Sequence, residues 1–274
     1  MPDVTHGSVA SLWRYPVKSM AGEELSAIEV TKSGLLGDRA YALLDSADGK
    51  AATAKNPRKW PTLFGFRAEF VEPPRIGAPV PPVRVTMPNG AETTSQQADV
   101  NQVLSRALNR AVTLNAAGLE HAGVQAEDYW PDIDGLDFRD TVTDFTLPAG
   151  TFFDGAPVLL LTTAALARLH ELYPQGRFEV ARFRANIVVT PASDEPDFVE
   201  NAWIGRTLAI GEAVRLRVTR PCGRCVMTTL PQGDLPEDLG VLRTAAQHNK
   251  ANVGVYATVE RGGAIRRGDV VTVG

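Results

Sequence analysis

Two cysteines, Cys222 and Cys225, lie in the segment Pro221-Cys-Gly-Arg-Cys225, flanked by Arg220 and Arg224, and they are the only cysteines in the chain. The thiolate is the reactive and metal-binding form of cysteine, and a nearby guanidinium favours it. Three kinds of chemistry fit such a pair. A structural zinc site needs four ligands, usually two spaced pairs. The four histidines, His6, His121, His170 and His248, are scattered and offer no second pair. A thioredoxin-like dithiol opens a helix. The residues after Cys225, Val226-Met-Thr-Thr-Leu-Pro231, are β-branched and broken by proline. The third reading is two small, buried, inert thiols. Composition alone leaves all three open.

A second group of residues can bind an anion. Tyr15-Pro-Val-Lys-Ser19 ends an apolar run with a cation and a hydroxyl, Gly37-Asp-Arg39 opens another, and Arg182-Phe-Arg-Ala-Asn186 precedes a third. Lysine and the forked guanidinium are the usual partners of phosphate and carboxylate. Ordinary solvated surface charge is the competing reading of any one of these segments.

These residues need a scaffold, and the pattern predicts a mostly β one with a few helices. Strands are expected at Ser8 to Arg14, Leu25 to Thr31, Asp38 to Asp45, Phe64 to Val71 and Val83 to Met87. In the second half they are expected at Pro157 to Thr162, Ala185 to Thr190, Leu208 to Arg220, Val253 to Glu260 and Asp269 to Val273. Val100, Val103, Leu104, Ala107 and Leu108 have helical spacing. Leu166, Leu169 and Tyr173 give a second helix behind Thr162 or Thr163 as N-cap. A third is expected from about Pro236 to Asp238 onward. Residues 117–153, rich in Gly and Asp, read as a linker or long loop. Many short strands point to barrels or sandwiches.

The bulk numbers narrow the classes. The chain has 274 residues, 44% hydrophobic and 22% charged, with a formal net charge of -4. That length suits one large or two medium domains. There is no basic footprint, so no nucleic-acid partner is expected. No apolar run reaches the roughly 20 residues of a membrane span. Met1 to Thr5 lack the pattern of a secretory leader. Two cysteines cannot build a disulfide framework. A cytoplasmic protein is the expectation.

Taken in order, Tyr-Pro-Val-Lys-Ser (15–19), Gly-Asp-Arg (37–39), Asp154-Gly-Ala-Pro157 with Val158-Leu-Leu-Leu-Thr-Thr163, Arg182-Phe-Arg-Ala-Asn-Ile187 and Arg224-Cys225 resemble the MOSC-domain proteins. The family is named for the C-terminal domain of molybdenum cofactor sulfurase. The layout is similar to that of bacterial two-part MOSC proteins and the mitochondrial amidoxime-reducing component. The resemblance covers the chain from about Gly7 to Val273. It implies an N-terminal MOSC-associated β-barrel domain, residues 1–116, and a MOSC β-barrel domain, residues 117–274. It also implies a molybdenum–molybdopterin cofactor between them.

On the family pattern Cys225 is the metal ligand. Lys18, Ser19, Arg39, Arg184 and Asn186 hold the pterin and its phosphate. Arg224 keeps Cys225 ionised, and Asp154 stands near the metal and manages protons. The implied activity is reduction of N-hydroxylated or N-oxide compounds by oxygen-atom transfer. Two cysteines cannot hold a four-cysteine iron–sulfur cluster. An external electron donor is therefore expected, whether a ferredoxin, a cytochrome b5-like protein or a flavin reductase, together with a small-molecule substrate. The alternative is a non-catalytic carrier of the cofactor, or of sulfur as a persulfide on Cys225. Two departures from the family pattern stand out. Position 222 is Cys rather than Ser or Thr. Leu230-Pro-Gln-Gly-Asp234 replaces an Asp-Pro-Asp turn.

Overall fold

The structure, a computed structural model, describes residues 5–192 and 196–274. The leader reading at Met1 to Thr5 therefore falls almost wholly outside the described residues. The first half supplies β1 (Thr5–Arg14), β2 (Glu23–Leu25), β3 (Ala27–Thr31), β4 (Gly34–Leu35), β5 (Tyr41–Asp45), β6 (Arg67–Phe70), β7 (Val83–Thr86) and β8 (Glu92–Thr94). These are followed by α1 (Val100–Leu108), β9 (Val112–Ala116), β10 (Gln125–Trp130) and β11 (Thr141–Thr146). The second half continues with β12 (Val158–Thr162), α2 (Thr163–Leu172), α3 (Val180–Phe183), β13 (Ile187–Pro191), β14 (Thr207–Ile210) and β15 (Val214–Gly223). It closes with α4 (Leu239–Asn249), β16 (Asn252–Arg261), β17 (Gly263–Arg266) and β18 (Val270–Val273). The chain is mostly β, as its punctuation predicts.

Seven strands close into a barrel. The sheet runs β13-β12-β16-β15-β14-β18-β1, and β1 pairs back onto β13; β2 is attached to β1 outside the ring. Closure leaves no free edge within the ring. Alternate residues of each strand point inward. Val9, Leu12, Leu160, Ile187, Leu208, Leu216, Val218, Val255 and Val271 form one buried cluster there. The outer faces of β12 and β13 are covered by α2 and α4 through Leu161, Leu169, Phe183, Val188 and Val241. Thr162 caps α2 by accepting from the Ala165 N–H at 3.1 Å, and Asp238 caps α4 by accepting from Gly240 at 2.8 Å. Thr162 fits the expected N-cap, whereas Pro236 to Asp238, expected in a first turn, instead precede α4, with Asp238 as its cap.

The structure departs from the sequence pattern in several places; the run Leu208 to Arg220, for one, divides into β14 and β15 at the turn 211–213, and the strand expected from Phe64 starts at Arg67. Strand β1 comes first in sequence, yet it is a stave of the barrel built otherwise from β12 onward. The run Leu25 to Thr31 divides at Ser26, because β2 pairs with β1 while β3 pairs with β17. Strand β5 starts at Tyr41 rather than Asp38, because Asp38 and Arg39 form a turn in which Arg39 has φ 47°. The stretch expected as a linker or long loop, 117–153, carries the antiparallel hairpin β10–β11. That hairpin is docked on the first half by the Ala51↔Ala126 bridge and by Lys50 paired with Glu127 and Asp144. Its alternation is half polar, so a hydrophobic pattern does not reveal it.

One carboxyl inside the structure predicts a pH response. Glu200 is fully buried, and its acceptors take the Thr162 hydroxyl at 2.6 Å and the Gly254 N–H at 3.1 Å. Burial pushes the Glu200 carboxyl up from 4.5 to about 7, with those two hydrogen bonds opposing. The folded state therefore binds the proton more tightly than the unfolded chain. This contribution to stability is complete below pH 4.5 and is lost as pH rises through 7. At about 1.4 kcal/mol per pKa unit the loss is on the order of 3 kcal/mol. Urea midpoints of wild type and Glu200→Gln across pH 4 to 8 check this. The two should converge at low pH and separate with rising pH; parallel curves would refute it.

Candidate functional site

The cationic segments meet because of strand pairing. Leu12 near the end of β1 lies opposite Ile187 at the start of β13, and the Trp13 N–H donates to the Asn186 carbonyl at 2.8 Å. Tyr15–Ser19 and Arg182–Asn186 therefore emerge side by side at one mouth of the barrel. The Gly37–Arg39 turn is laid against them. The Arg39 N–H donates to the Tyr15 carbonyl and the Lys18 N–H to the Tyr41 carbonyl, both at 2.8 Å. The segment before β12 brings Asp154, and the end of β15 brings Arg224 and Cys225. A narrow cleft of about 80 Å³ lies among Lys18, Ser19, Arg39, Arg184, Arg224 and Cys225. Asp154 and Asn186 also line it.

The guanidiniums are stacked. Tyr15, itself buried, has Arg39 4.5 Å from its ring centroid and Arg184 4.2 Å away. Arg39 pairs with Asp38 and donates to the Arg184 carbonyl at 3.3 Å. Arg184 donates to the Met20 carbonyl at 2.6 Å, and its Nη2 is buried with no partner. Burial and then the Arg39 charge pull the Arg184 guanidinium down to about 10, which still leaves it cationic at neutral pH. Burial pushes the Tyr15 hydroxyl up to about 12 despite both arginines. Ser19, Arg39 and Arg184 all hold positive φ, at 65°, 47° and 54°. Left-handed backbone at non-glycine residues costs energy and gathers at ligand-binding sites.

Asp154 sits between two lysines. Lys18 pairs with its Oδ1 and also donates to the Phe152 carbonyl at 3.3 Å; Lys55 approaches its Oδ2 at 3.4 Å. Burial works to raise the Asp154 carboxyl, but Lys18 and Lys55 outweigh it and hold it far below the usual carboxylate range. In this arrangement Asp154 is a hydrogen-bond acceptor and counter-charge. Asn186 uses its side chain on the scaffold, accepting from the Leu159 N–H at 3.1 Å and donating to the Trp13 carbonyl at 3.4 Å. Ser19 Oγ accepts from the Ala54 N–H at 3.1 Å.

The two cysteines differ. Cys222 is buried among Leu159, Leu161 and Val253, whereas Cys225 is part-exposed and packs toward Phe64, Val226 and Met227. Cys225 opens the 3-10 turn Val226–Thr229. Its carbonyl accepts from the Thr228 N–H at 3.2 Å and the Thr228 hydroxyl at 3.0 Å. Among the described residues no cluster of three or more His, Cys, Asp or Glu side chains gathers to hold a metal ion.

Two family models match the chain: the MOSC domain over residues 148–272 and the MOSC N-terminal beta barrel domain over residues 6–118. The chain carries a MOSC domain and a MOSC N-terminal beta barrel domain. It is similar to the mitochondrial amidoxime-reducing component 1 of Mus musculus, 25% identical over 293 residues that cover 97% of this chain and 82% of that protein. It is also similar to the mitochondrial amidoxime reducing component 2 of Bos taurus, at 26% over 298 residues, 97% and 82% of the two chains. The component 2 of Homo sapiens is 25% identical over 288 residues, 97% and 83% of the two.

The MOSC name implies a molybdenum cofactor, and the cleft can be tested for it. Arg184 Nη2 and Arg224 Nε are both buried without a partner. Arg184 has no carboxylate within 4.0 Å among the described residues. A buried, uncompensated cation is costly, and an anion removes that cost. A soft sulfur stands in the same cleft, as a soft metal requires. The donor set therefore fits a metal-bearing, phosphate-bearing group. The cleft is small for a pterin, since ligand pockets run to about 300 Å³ or more.

The expectation for Arg224 needs correction. Its Nη1 points at Cys222 Sγ, 2.8 Å away, and its Nη2 donates to the Phe183 carbonyl at 2.8 Å. Burial and then Asp128 push the Cys225 thiol up to about 12, against the pull of Lys55 and Arg224. Adjacency in sequence placed the guanidinium beside the wrong sulfur.

Sequence reasoning missed Lys55, Asp128 and Tyr256. Lys55 pairs with Asp128 at 3.2 Å, and Tyr256 lines the cleft under Arg220. Lys55 lies in the polar run Ala54-Lys-Asn-Pro57, which has no local signal beyond a turn.

Proposed function

We propose that this MOSC protein is a molybdenum-cofactor oxidoreductase that reduces N-hydroxylated or N-oxide compounds. The observation that carries this reading is the convergence of the part-exposed Cys225 sulfur and five cations, Lys18, Arg39, Lys55, Arg184 and Arg224, on one cleft. The names of the relatives supply the reaction class. When bound, the cofactor supplies the two-electron redox chemistry that cleaves an N–O bond. The balance is one N-hydroxy compound, two electrons and two protons giving the N–H compound and water.

The chain's own residues bind and orient. Cys225 Sγ is the metal ligand. The free Nη2 of Arg184, with Arg39 and Lys18, holds the phosphate, and the Ser19 hydroxyl adds a donor. The Tyr15 ring packs against both guanidiniums. Asp154 Oδ1 and Oδ2 keep the Lys18 and Lys55 ammonium groups protonated and aimed along the cleft wall. Electrons come from a separate donor protein.

The test is purification from a cofactor-competent host, metal analysis and turnover with reduced methyl viologen. About one molybdenum per chain and reduction of an N-hydroxyamidine are expected. Full molybdenum loading without turnover of any N-hydroxy or N-oxide compound would overturn the oxidoreductase reading. A persulfide on Cys225, found by mass spectrometry in such an inactive protein, would establish the carrier instead.

A further inference from the structure

The outer surface of β15 carries a stripe of arginines. Val214, Leu216 and Val218 point into the barrel, so Arg215 and Arg217 point out. Arg215 lies opposite Arg261 of β16 in the strand register. Like charges facing each other across a strand pair are unfavourable. The register slips between Val218 and Arg220, and Arg220 then faces Tyr256. Bulges of this kind re-aim side chains beside functional sites. Arg220 lies 4.5 Å over the Tyr256 ring and donates to the Gly155 carbonyl at 3.0 Å. Tyr256 and Gly155 both line the cleft. The stripe therefore runs from open surface to the cleft rim.

Some surface arginines are held by acids. Arg84, Arg139, Arg168 and Arg177 each pair with a carboxylate. Among the described residues Arg215, Arg217, Arg220 and Arg261 have no carboxylate within 4.0 Å. Arg261 and Arg215 bond to carbonyls of Glu212 and Ala213 instead. Glu212 and Asp269 stand beside Arg215, and the Glu260 carboxylate takes the Thr207 hydroxyl at 3.2 Å. The stripe stands on a chain whose formal net charge is -4.

We propose that this face, Arg215, Arg217, Arg220 and Arg261, is the docking surface for an acidic one-electron carrier protein. The proposal rests on the oxidoreductase reading, which needs two electrons per turnover from outside. Each docking delivers one electron, and two dockings complete the reduction. Charge complementarity steers such encounters and acts mainly on the association rate. It is screened over about 8 Å at physiological salt.

The probe is a reduced [2Fe–2S] ferredoxin with an acidic surface. Its association with the purified protein is measured by surface plasmon resonance, and its oxidation by stopped flow. Arg215→Glu/Arg217→Glu should slow association at least about 10-fold at low salt and flatten the salt dependence. Viologen-driven turnover of the same variant should be unchanged. Arg168→Glu, a reversal on α2, should leave ferredoxin association as in wild type. Unchanged ferredoxin association in Arg215→Glu/Arg217→Glu would overturn the proposal. So would sedimentation showing that this face joins two copies of the chain and that the double variant separates them. Failure of viologen-driven turnover in wild type would instead sink the oxidoreductase reading, while the binding measurement still decides the docking face.

Discussion

Cys225→Ser is expected to lose at least about 100-fold in kcat/KM for N-hydroxy substrates and most of its molybdenum, while Cys222→Ser keeps both. Disturbing even an outer partner of a metal ligand costs roughly 10- to 100-fold, so loss of the ligand itself should cost no less. Serine offers a hard oxygen where a soft metal wants sulfur. The backbone gives no reason for misfolding. Cys225 is part-exposed, and the 3-10 turn it opens is closed by its carbonyl and Thr228 rather than by its sulfur. Cys222 is the internal control. It is 1% exposed, and the Arg224 Nη1 beside it can donate to a serine hydroxyl as it does to sulfur. Its replacement should cost about 1 kcal/mol of stability and leave metal content intact. Metal analysis and steady-state kinetics on the two variants decide the matter. A loaded, fully active Cys225→Ser protein would remove the ligand assignment and the mechanism built on it.

The contrast between these two cysteines shows how much of the site was readable in the chain. Cations at the ends of apolar runs marked Lys18, Arg39 and Arg184, because a strand end is where a barrel presents side chains to its mouth. The pattern did not say that Tyr15–Ser19 and Arg182–Asn186 would be neighbours. That follows from β1 pairing with β13, a contact far apart in sequence. Local periodicity carries no information on such partners. The two family models divide the chain between residues 118 and 148, and chain order likewise gave no sign that β1 would pair in space with the strands from β12 onward. Side-chain direction was also invisible. Arg224 neighbours Cys225 along the chain, but its guanidinium reaches back to Cys222. Lys55 lay in a polar loop and became a cleft residue through its contacts with Asp128 and Asp154. Helix starts, by contrast, are fixed by residues two or three apart, and Thr162 caps as its type predicts, while Asp238, expected in a first turn, stands just before it as the cap.

Arg182 shows the same limit most sharply, and it carries the largest expected effect on stability. It stands two residues from Arg184 in the same segment, yet it faces away from the cleft and is fully buried. Its Nε donates to the Arg177 carbonyl at 2.7 Å and its Nη2 to the Pro236 carbonyl at 2.8 Å. Its Nη1 reaches the carbonyls of Thr228 at 3.1 Å and Leu230 at 3.3 Å. One guanidinium thus ties α3 to the chain that follows Cys225. Four carbonyl dipoles neutralise it in place of a carboxylate. Arg182→Ala leaves those four acceptors facing a cavity that no water-free packing can satisfy. An orphaned buried acceptor costs about 1–3 kcal/mol, so a loss of at least about 4 kcal/mol is expected. For a chain of this size that lowers Tm by roughly 10 °C. Lysine has the charge but not the planar fork, so Arg182→Lys should recover only part of the loss. The damage should be local before it is global. The segment from Val226 to Pro236 should become the first site of protease cleavage, and the turn that aims Cys225 should loosen with it. Thermal unfolding and limited proteolysis measure both effects. An Arg182→Ala protein within 1 kcal/mol of wild type, uncut in that segment, would mean that the turn at Cys225 is held by its own 3-10 hydrogen bonds and by the packing of Met227 on Phe64, with the guanidinium merely filling space.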